Sequence, residues 1–270
     1  MFTFYLPSNI SLLSTRRYWS GAALTLEPRL STKWLANMAF FGTVISLSVP
    51  SSTFHLPNSI LYQPTPPPLS AITENILPSV NTKAHFSKGL QSSSGLVQHC
   101  TAIVLAKCLA KFEEVVRLFQ EIEDILGEDE AEGQWRRRRR DIEREARRRV
   151  PDFQVVVAFS QQKIGGQAVP PNPTKAALLS EAAQRLLWMY HRYLPSVVAE
   201  ARFDVGKLLQ NFSLEMQPVV VDAQQDESLD VSRKLHVVQQ LHVLRLLKES
   251  DQFNWSGKMG MNGCCITYDY

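Results

Sequence analysis

Long apolar runs are missing from this chain. The most apolar stretch, residues 38–49, is 12 residues long, and a helix needs roughly 20 to cross a bilayer. No membrane span is expected. Cysteine is scarce: Cys100, Cys108, Cys264 and Cys265 make no disulfide framework. The first two fall in an apolar helical pattern, where thiols act as small buried hydrophobes, and such usage suits a reducing compartment. The last two are adjacent, which suits neither a mutual bridge nor a zinc site. The histidines (His55, His85, His99, His191, His236 and His242) include no pair at zinc-ligand spacing. His236 and His242 fall on different helix faces, and each histidine fits a surface or core role better than that of a ligand or base.

Catalytic motifs are absent as well. Residues 256–263 contain Gly257-Lys258, but no upstream glycine, following Ser/Thr or preceding strand makes them a phosphate loop. There is no Gly-x-Ser-x-Gly elbow and no His-Glu-x-x-His. The densest group of acids lies in residues 113–132 beside no nucleophile or metal partner, so no acid–base pair can be placed. No catalytic residue, cofactor, metal site or small-molecule substrate is assigned, and the chain reads as a non-enzyme. The first twenty residues lack acids and contain Arg16 and Arg17, but Pro7 interrupts any amphipathic targeting helix.

The composition present is that of a folded protein, with 44% hydrophobic and 20% charged residues. The formal net charge is only +3, so steering toward a polyanion would have to be local. Residues 1–95 are rich in Pro, Ser, Thr and Asn, and Pro66-Pro67-Pro68 favours extended geometry. Trp34, Phe40, Phe41, Phe54 and Phe86 need burial, so this part reads as an irregular, Pro-rich arm with short helices. From Leu96 to Phe119, apolar residues recur at three- and four-residue spacing, an amphipathic helix signal that Gly127 ends.

Residues 153–159 are ambiguous between a strand and a short buried helix. Asn172-Pro173 supplies a cap and first-turn proline for a helix whose stripe is Leu179, Ala183, Leu186, Leu187, Tyr190 and Leu194. A further helix is expected over residues 196–210. The last is expected over residues 229–248, with Leu235, Val238, Leu241, Leu244 and Leu247 on its apolar face. The fold expected is all-α, a HEAT/armadillo-like α-solenoid segment over residues 96–250 after the irregular arm. An unstructured tail, residues 251–270, follows.

The densest feature lies between these helices. Nine arginines fall within residues 136–149, interrupted by Asp141, Glu143 and Glu145 and preceded by an acidic block at 121–132. Glu143→Arg147 and Glu145→Arg149 have the i,i+4 spacing of stabilising helix pairs. Pro151 disfavours helix at the residue before it. Three readings are open: a solvated helix balanced by the acidic block, a nuclear import or nucleolar retention signal, and sequence-independent phosphate binding. Candidate contact residues are Arg136, Arg137, Arg138, Arg139, Arg140, Arg147, Arg148 and Arg149. Base stacking has little support, because only Trp135 adjoins them.

Three stretches carry a resemblance. They are Val97-Gln-His-Cys-Thr-Ala-Ile-Val-Leu-Ala-Lys-Cys108 continuing to Val116, Arg147-Arg-Arg-Val-Pro-Asp-Phe-Gln-Val-Val-Val-Ala-Phe159, and Leu186-Leu-Trp-Met-Tyr-His-Arg192 with Ala201-Arg-Phe-Asp-Val-Gly-Lys207. With residues 30–41, 66–80 and 241–250 they resemble the nucleolar pre-ribosomal-associated protein family in its fungal form, over roughly residues 19–256. The resemblance implies a large nucleolar α-solenoid scaffold acting early in large ribosomal subunit assembly and ribosomal RNA processing. It implies partners among pre-ribosomal RNA, large-subunit assembly factors and small nucleolar ribonucleoproteins, and supplies no catalytic residue. Members are much longer, so the chain reads as an internal or truncated fragment, and residues 257–270 fall outside the resemblance. In that nucleolar setting phosphate contact stands level with the solvated-helix reading. The alternative is an autonomous basic RNA-binding module.

Overall fold

The computed structural model describes residues 24–128, 133–161, 173–201, 203 and 227–250. The helices are α1 (Thr32–Ile45), α2 (Leu69–Ile76), α3 (Lys83–Leu90), α4 (Gly95–Leu126), α5 (Gln134–Arg149), α6 (Phe153–Gln161), α7 (Pro173–Tyr193), α8 (Pro195–Val198) and α9 (Glu227–Glu249), with a 3-10 turn at Ser51–Phe54. The fold is all-α, as the apolar periodicity predicts; among the described residues the one bridge outside the helices is an antiparallel pair, His55 and Tyr62. The expected tail, with Cys264 and Cys265, lies outside the described residues.

The centre is α4, whose 32 residues make a rod of about 48 Å. Helices α1, α3, α5 and α7 all pack on it, so its buried residues cannot be confined to one stripe. Val104, Cys108, Phe112, Val115 and Phe119 are buried as their spacing predicts, whereas at the start Val97 takes the inner position and Leu96 is exposed. Gly127 ends the helix in the left-handed region, φ 61°, its N–H returning to the carbonyls of Glu123 and Asp124. Few residues other than glycine adopt that conformation without strain.

The first helices fasten to α4 by polar as well as apolar contacts. Ser31 caps α1 by accepting from Trp34 N at 3.2 Å, and the buried Trp34 indole donates to Leu26 O at 3.2 Å. At the other end of α1, Lys107 Nζ donates to Gly42 O at 3.2 Å and Lys111 Nζ to Leu47 O. Two cations one turn apart on α4 thus meet the partial negative charge at the end of α1. Burial pushes the Lys111 ammonium down from its ordinary pKa, a shift that nearby Glu114 opposes. Phe54 then meets Phe119 at 5.5 Å and Trp135 at 5.6 Å, both edge-on. This trio joins the segment after α1 to α4 and α5.

The ambiguous residues 153–159 are helical, forming most of α6. Phe153, Val156, Val157 and Phe159 are buried there, and among the described residues no strand neighbours the valines to pair with them. Helix α7 buries the predicted stripe, and Tyr190 OH donates to Pro151 O at 3.0 Å. Of the helix expected over residues 196–210, one turn, α8, falls within the described residues, and residues 202 and 204–210 lie outside them.

Helix α9 packs on α7 in a different rotation from the one expected. Leu247 is buried as predicted, beside Val243 and Leu246, but Val238, Leu241 and Leu244 are exposed. Polar contacts set this rotation: His242 Nε2 lies 3.1 Å from Glu181 Oε1 in a buried pair, and Gln239 Nε2 donates to Ser180 Oγ at 2.6 Å. Burial alone would raise the Glu181 pKa, but hydrogen bonds from His242 and Arg185 outweigh it and hold the carboxyl below its ordinary value.

Two measurements test this packing. A Cβ on Gly89 of α3 would lie 2.3 Å from Thr101 Oγ1, which is itself fixed by donation to Val97 O at 2.7 Å. Gly89→Ala is expected to destabilise by about 1–3 kcal/mol, seen as a lower melting temperature, and adding Thr101→Ala recovers most of the loss. His191 packs edge-on to Phe153 at 5.5 Å, and burial pushes its pKa from 6.5 down to about 4. The unfolded imidazole takes up a proton that the folded one refuses. Stability from this residue is therefore complete above about pH 6.5 and is lost as pH falls toward 4, by on the order of 3 kcal/mol. Thermal melts across that window should show the decline, and His191→Phe should flatten it.

Candidate nucleic-acid interface

Helix α5 carries the arginine run, and it is seated by its few apolar residues. Trp135, Ile142 and Ala146 are buried, seven and four positions apart and so on one face. The Trp135 indole donates to Gln63 O at 3.0 Å and stacks edge-on with Phe119 at 4.8 Å. The single aromatic of the run is therefore part of the core and presents no face to a nucleic-acid base.

Five consecutive arginines near a helix N-terminus oppose the helix dipole. Glu128 relieves this: its two carboxylate oxygens accept from Trp135 N at 3.0 Å each, and one accepts from Arg136 N at 3.1 Å. Glu123, at the end of α4, binds the side chains. Arg139 donates to it through Nε at 2.7 Å and Nη2 at 3.1 Å, and Arg136 Nε lies 3.5 Å away. The hydrogen bond from Glu123 raises the Arg139 pKa further above its ordinary value, against the effect of burial.

The last turn of α5 is tied to α2. Arg149 donates to Glu74 at 2.7 Å, to Glu145 at 3.0 Å and to Leu77 O at 2.8 Å. Burial disfavours its charge, and these carboxylates more than offset that, so its pKa also rises. Burial would raise Glu74, yet bonds from Ser79 and Arg149 hold it below its ordinary value. The Glu145–Arg149 pair forms as its spacing predicts. Glu143 instead pairs with Arg139 at 3.2 Å, and Arg147 reaches Glu200 at 2.5 Å.

The opposite face is different. Arg137, Arg140, Arg144 and Arg148 are exposed, at spacings of three, four and four that place them in one outward stripe. Arg137, Arg138 and Arg140 have no ion pair among the described residues. Arg144 lies 3.3 Å from Asp141 and Arg148 3.8 Å from Glu145, exposed pairs of small strength. The candidate set therefore divides. Arg136, Arg139 and Arg149 fasten α5 to the body, Arg147 and Arg148 are exposed and paired, Arg137 and Arg140 are exposed with no ion pair among the described residues, and Arg138 is half-buried and likewise makes none there. Arg144, isolated in sequence between acids, joins the stripe; its spacing of four from Arg140 and seven from Arg137 was the signal that could have found it.

No cluster of three or more His, Cys, Asp or Glu side chains that could hold a metal occurs among the described residues. The Cys108 thiol is fully buried and its pKa raised by that burial, which keeps it unreactive. A cleft of about 360 Å³ is lined by residues including Ser160, Ser180, His236 and Gln239. Ser180 there accepts from Gln239, and His236 Nε2 bonds to Gln240 at 3.1 Å.

The two classes of arginine are separable by stability. Glu123→Gln removes the carboxylate that Arg136 and Arg139 share and is expected to destabilise by about 2–4 kcal/mol. Arg137→Ala and Arg140→Ala should each stay within about 0.5 kcal/mol of the parent. Chemical denaturation of the three variants checks both.

Comparison with known proteins adds one relation. No protein-family model matches the chain, and no solved structure does. Over 134 residues it is 28% identical to Nucleolar pre-ribosomal-associated protein 1 of Saccharomyces cerevisiae. That alignment covers 49% of this chain and 7% of the yeast protein, so the chain is similar to a small part of a much longer relative.

Proposed function

We propose that this chain is a non-enzymatic helical scaffold segment acting in nucleolar assembly of the large ribosomal subunit and in ribosomal RNA processing. Within it, the outer stripe of α5 holds pre-ribosomal RNA by its phosphates. The observation that carries the RNA contact is the division of the arginine run. Arg137 and Arg140 stand outward without ion pairs among the described residues, beside Arg144, on a helix that Glu123, Glu128 and Glu74 hold in place. Exposed guanidiniums carried on a helix held in place suit a phosphate backbone. With Trp135 buried, nothing in α5 offers base stacking, so the contact is sequence-independent.

The nucleolar setting rests on the similarity to the yeast protein, whose name places it with pre-ribosomes in the nucleolus. The scaffold reading is supported by the succession of packed helices, with α9 on α7 and α7 on α4, which fits a HEAT/armadillo-like solenoid segment. The partners are large-subunit assembly factors, in the neighbourhood of small nucleolar ribonucleoproteins.

The test replaces Arg137, Arg140 and Arg144 together with alanine. The triple variant should keep its melting temperature but lose co-sedimentation with large-subunit precursors. Its affinity for pre-ribosomal RNA should depend less steeply on salt, by about 2–3 in the log–log slope for three lost phosphate contacts. Unchanged sedimentation together with an unchanged salt slope would remove the RNA contact from the proposal. Tight, steeply salt-dependent RNA binding by the chain alone would favour an autonomous RNA-binding module over a scaffold.

A further inference from the structure

After Gln134, every exposed side chain of α5 is an arginine: Arg137, Arg140, Arg144, Arg147 and Arg148. Arg137, Arg140, Arg144 and Arg148 follow one line along the helix, about 16 Å from first to last. The acids of the same helix sit lower on its sides. Asp141, Glu143 and Glu145 are half-buried, and each has an arginine partner: Asp141 has Arg144, Glu143 has Arg139 and Glu145 has Arg149. Glu128, before the helix, turns its carboxylate to the backbone N–H groups of the first turn. The unspent charge of the row is therefore that of Arg137 and Arg140, which make no ion pair among the described residues. Arg144 and Arg148 add to it, because their exposed pairs are weak enough for a phosphate to displace.

This row is a ridge and not a groove. Trp135, Ile142 and Ala146 occupy the inner face of α5, Glu123 and Glu128 hold its start and Glu74 its end, and the arginines stand on the convex outer side of one helix. Proteins that hold single strands combine a basic groove with aromatic platforms on which successive bases stack. Helix α5 offers neither, since its one aromatic residue, Trp135, lies in the core.

We infer that the ridge takes double-stranded RNA, lying along the sugar–phosphate backbone of a duplex. The inference rests on the RNA contact proposed above and names the form of RNA that makes it. A duplex holds its phosphates in a fixed array before binding, so a row of cations on a fixed helix meets several at once with little freedom left to lose. A single strand would have to be straightened along the row, and its bases would find no platform to offset that ordering. Duplex RNA is recognised by shape and backbone more than by sequence, and guanidiniums without an aromatic neighbour supply that chemistry.

The full chain can be titrated, by fluorescence anisotropy, with a labelled RNA duplex of about 20 base pairs and an unpaired strand of about 40 nucleotides, matched in phosphate number. The duplex is expected to bind about fivefold tighter or more, and two duplexes of unrelated sequence should agree within about twofold. Arg137→Ala, Arg140→Ala and Arg144→Ala together should weaken the duplex by about tenfold or more at unchanged melting temperature. Gln134→Arg with Arg140→Gln keeps the charge of α5 and interrupts the row. That pair should weaken the duplex by about threefold or more and leave the single strand unchanged, which a merely charged patch would not do. A single strand bound as tightly as the duplex, and lost in the triple variant, overturns the duplex inference and leaves the RNA contact standing, with the guanidiniums stacking on unpaired bases instead. Parent-like duplex binding by the interrupted row reduces the site to net charge and also overturns it. A triple variant that binds both RNAs as the parent does removes the RNA contact itself, and the inference with it. So does a melting temperature lowered by several degrees in the triple variant, which would assign these arginines to the packing of α5.

Discussion

An arginine-rich helix can lie against an apolar core only if the charges nearest that core find partners, because an unpaired buried guanidinium is strongly unfavourable. Glu123 supplies that partner. It projects from the end of α4, is itself buried, and takes two hydrogen bonds from Arg139 while lying 3.5 Å from Arg136. With those cations compensated, Trp135, Ile142 and Ala146 can face inward and complete the aromatic cluster with Phe54 and Phe119. Glu128, just beyond the glycine that ends α4, neutralises the positive end of α5. The acidic block before the arginines is thus more than a solvated face: two of its carboxylates set where the basic helix sits.

The local part of this was legible in the sequence and the long-range part was not. The stripe of α7, the stop at Gly127 and the helix end before Pro151 follow from spacing and backbone chemistry within a few residues. The strand-or-helix ambiguity at residues 153–159 is not decided locally, because buried valines suit either; the α7 and α3 surfaces resolve it. The candidate site was legible as a charge run, but not in its division. Glu123 and Arg139 are 16 residues apart and Glu74 and Arg149 are 75 apart, so no inspection of the run tells a fastening arginine from an outward one. Helix α9 shows the same limit. Its apolar residues are numerous enough to define two faces, and the choice between them falls to Glu181 and Ser180 on α7.

Two surfaces of unlike character result. The stripe on α5 is positive and polar, whereas the outer face of α9 is positive and apolar. Each is held by carboxylates on its inner side, the buried Glu123 and half-buried Glu74 beneath α5 and the buried Glu181 beneath α9. Glu123 and Glu181 are turned inward, while Arg137, Arg140 and Arg144 of the α5 stripe face outward, on a chain whose formal charge is only +3. Local field and net charge are here separate quantities.

The three-partner grip of Arg149 has a consequence for exchangeability. Arg149 meets two carboxylates and a carbonyl at once, and Arg139 meets Glu123 with two parallel donors. Lysine, a point charge with no planar fork, reproduces neither. A polylysine tract of equal charge would keep the electric field of this segment and lose its architecture. The run is therefore not a generic basic sequence that could be transplanted or scrambled: some of its positions require a particular shape, and others require only a sign.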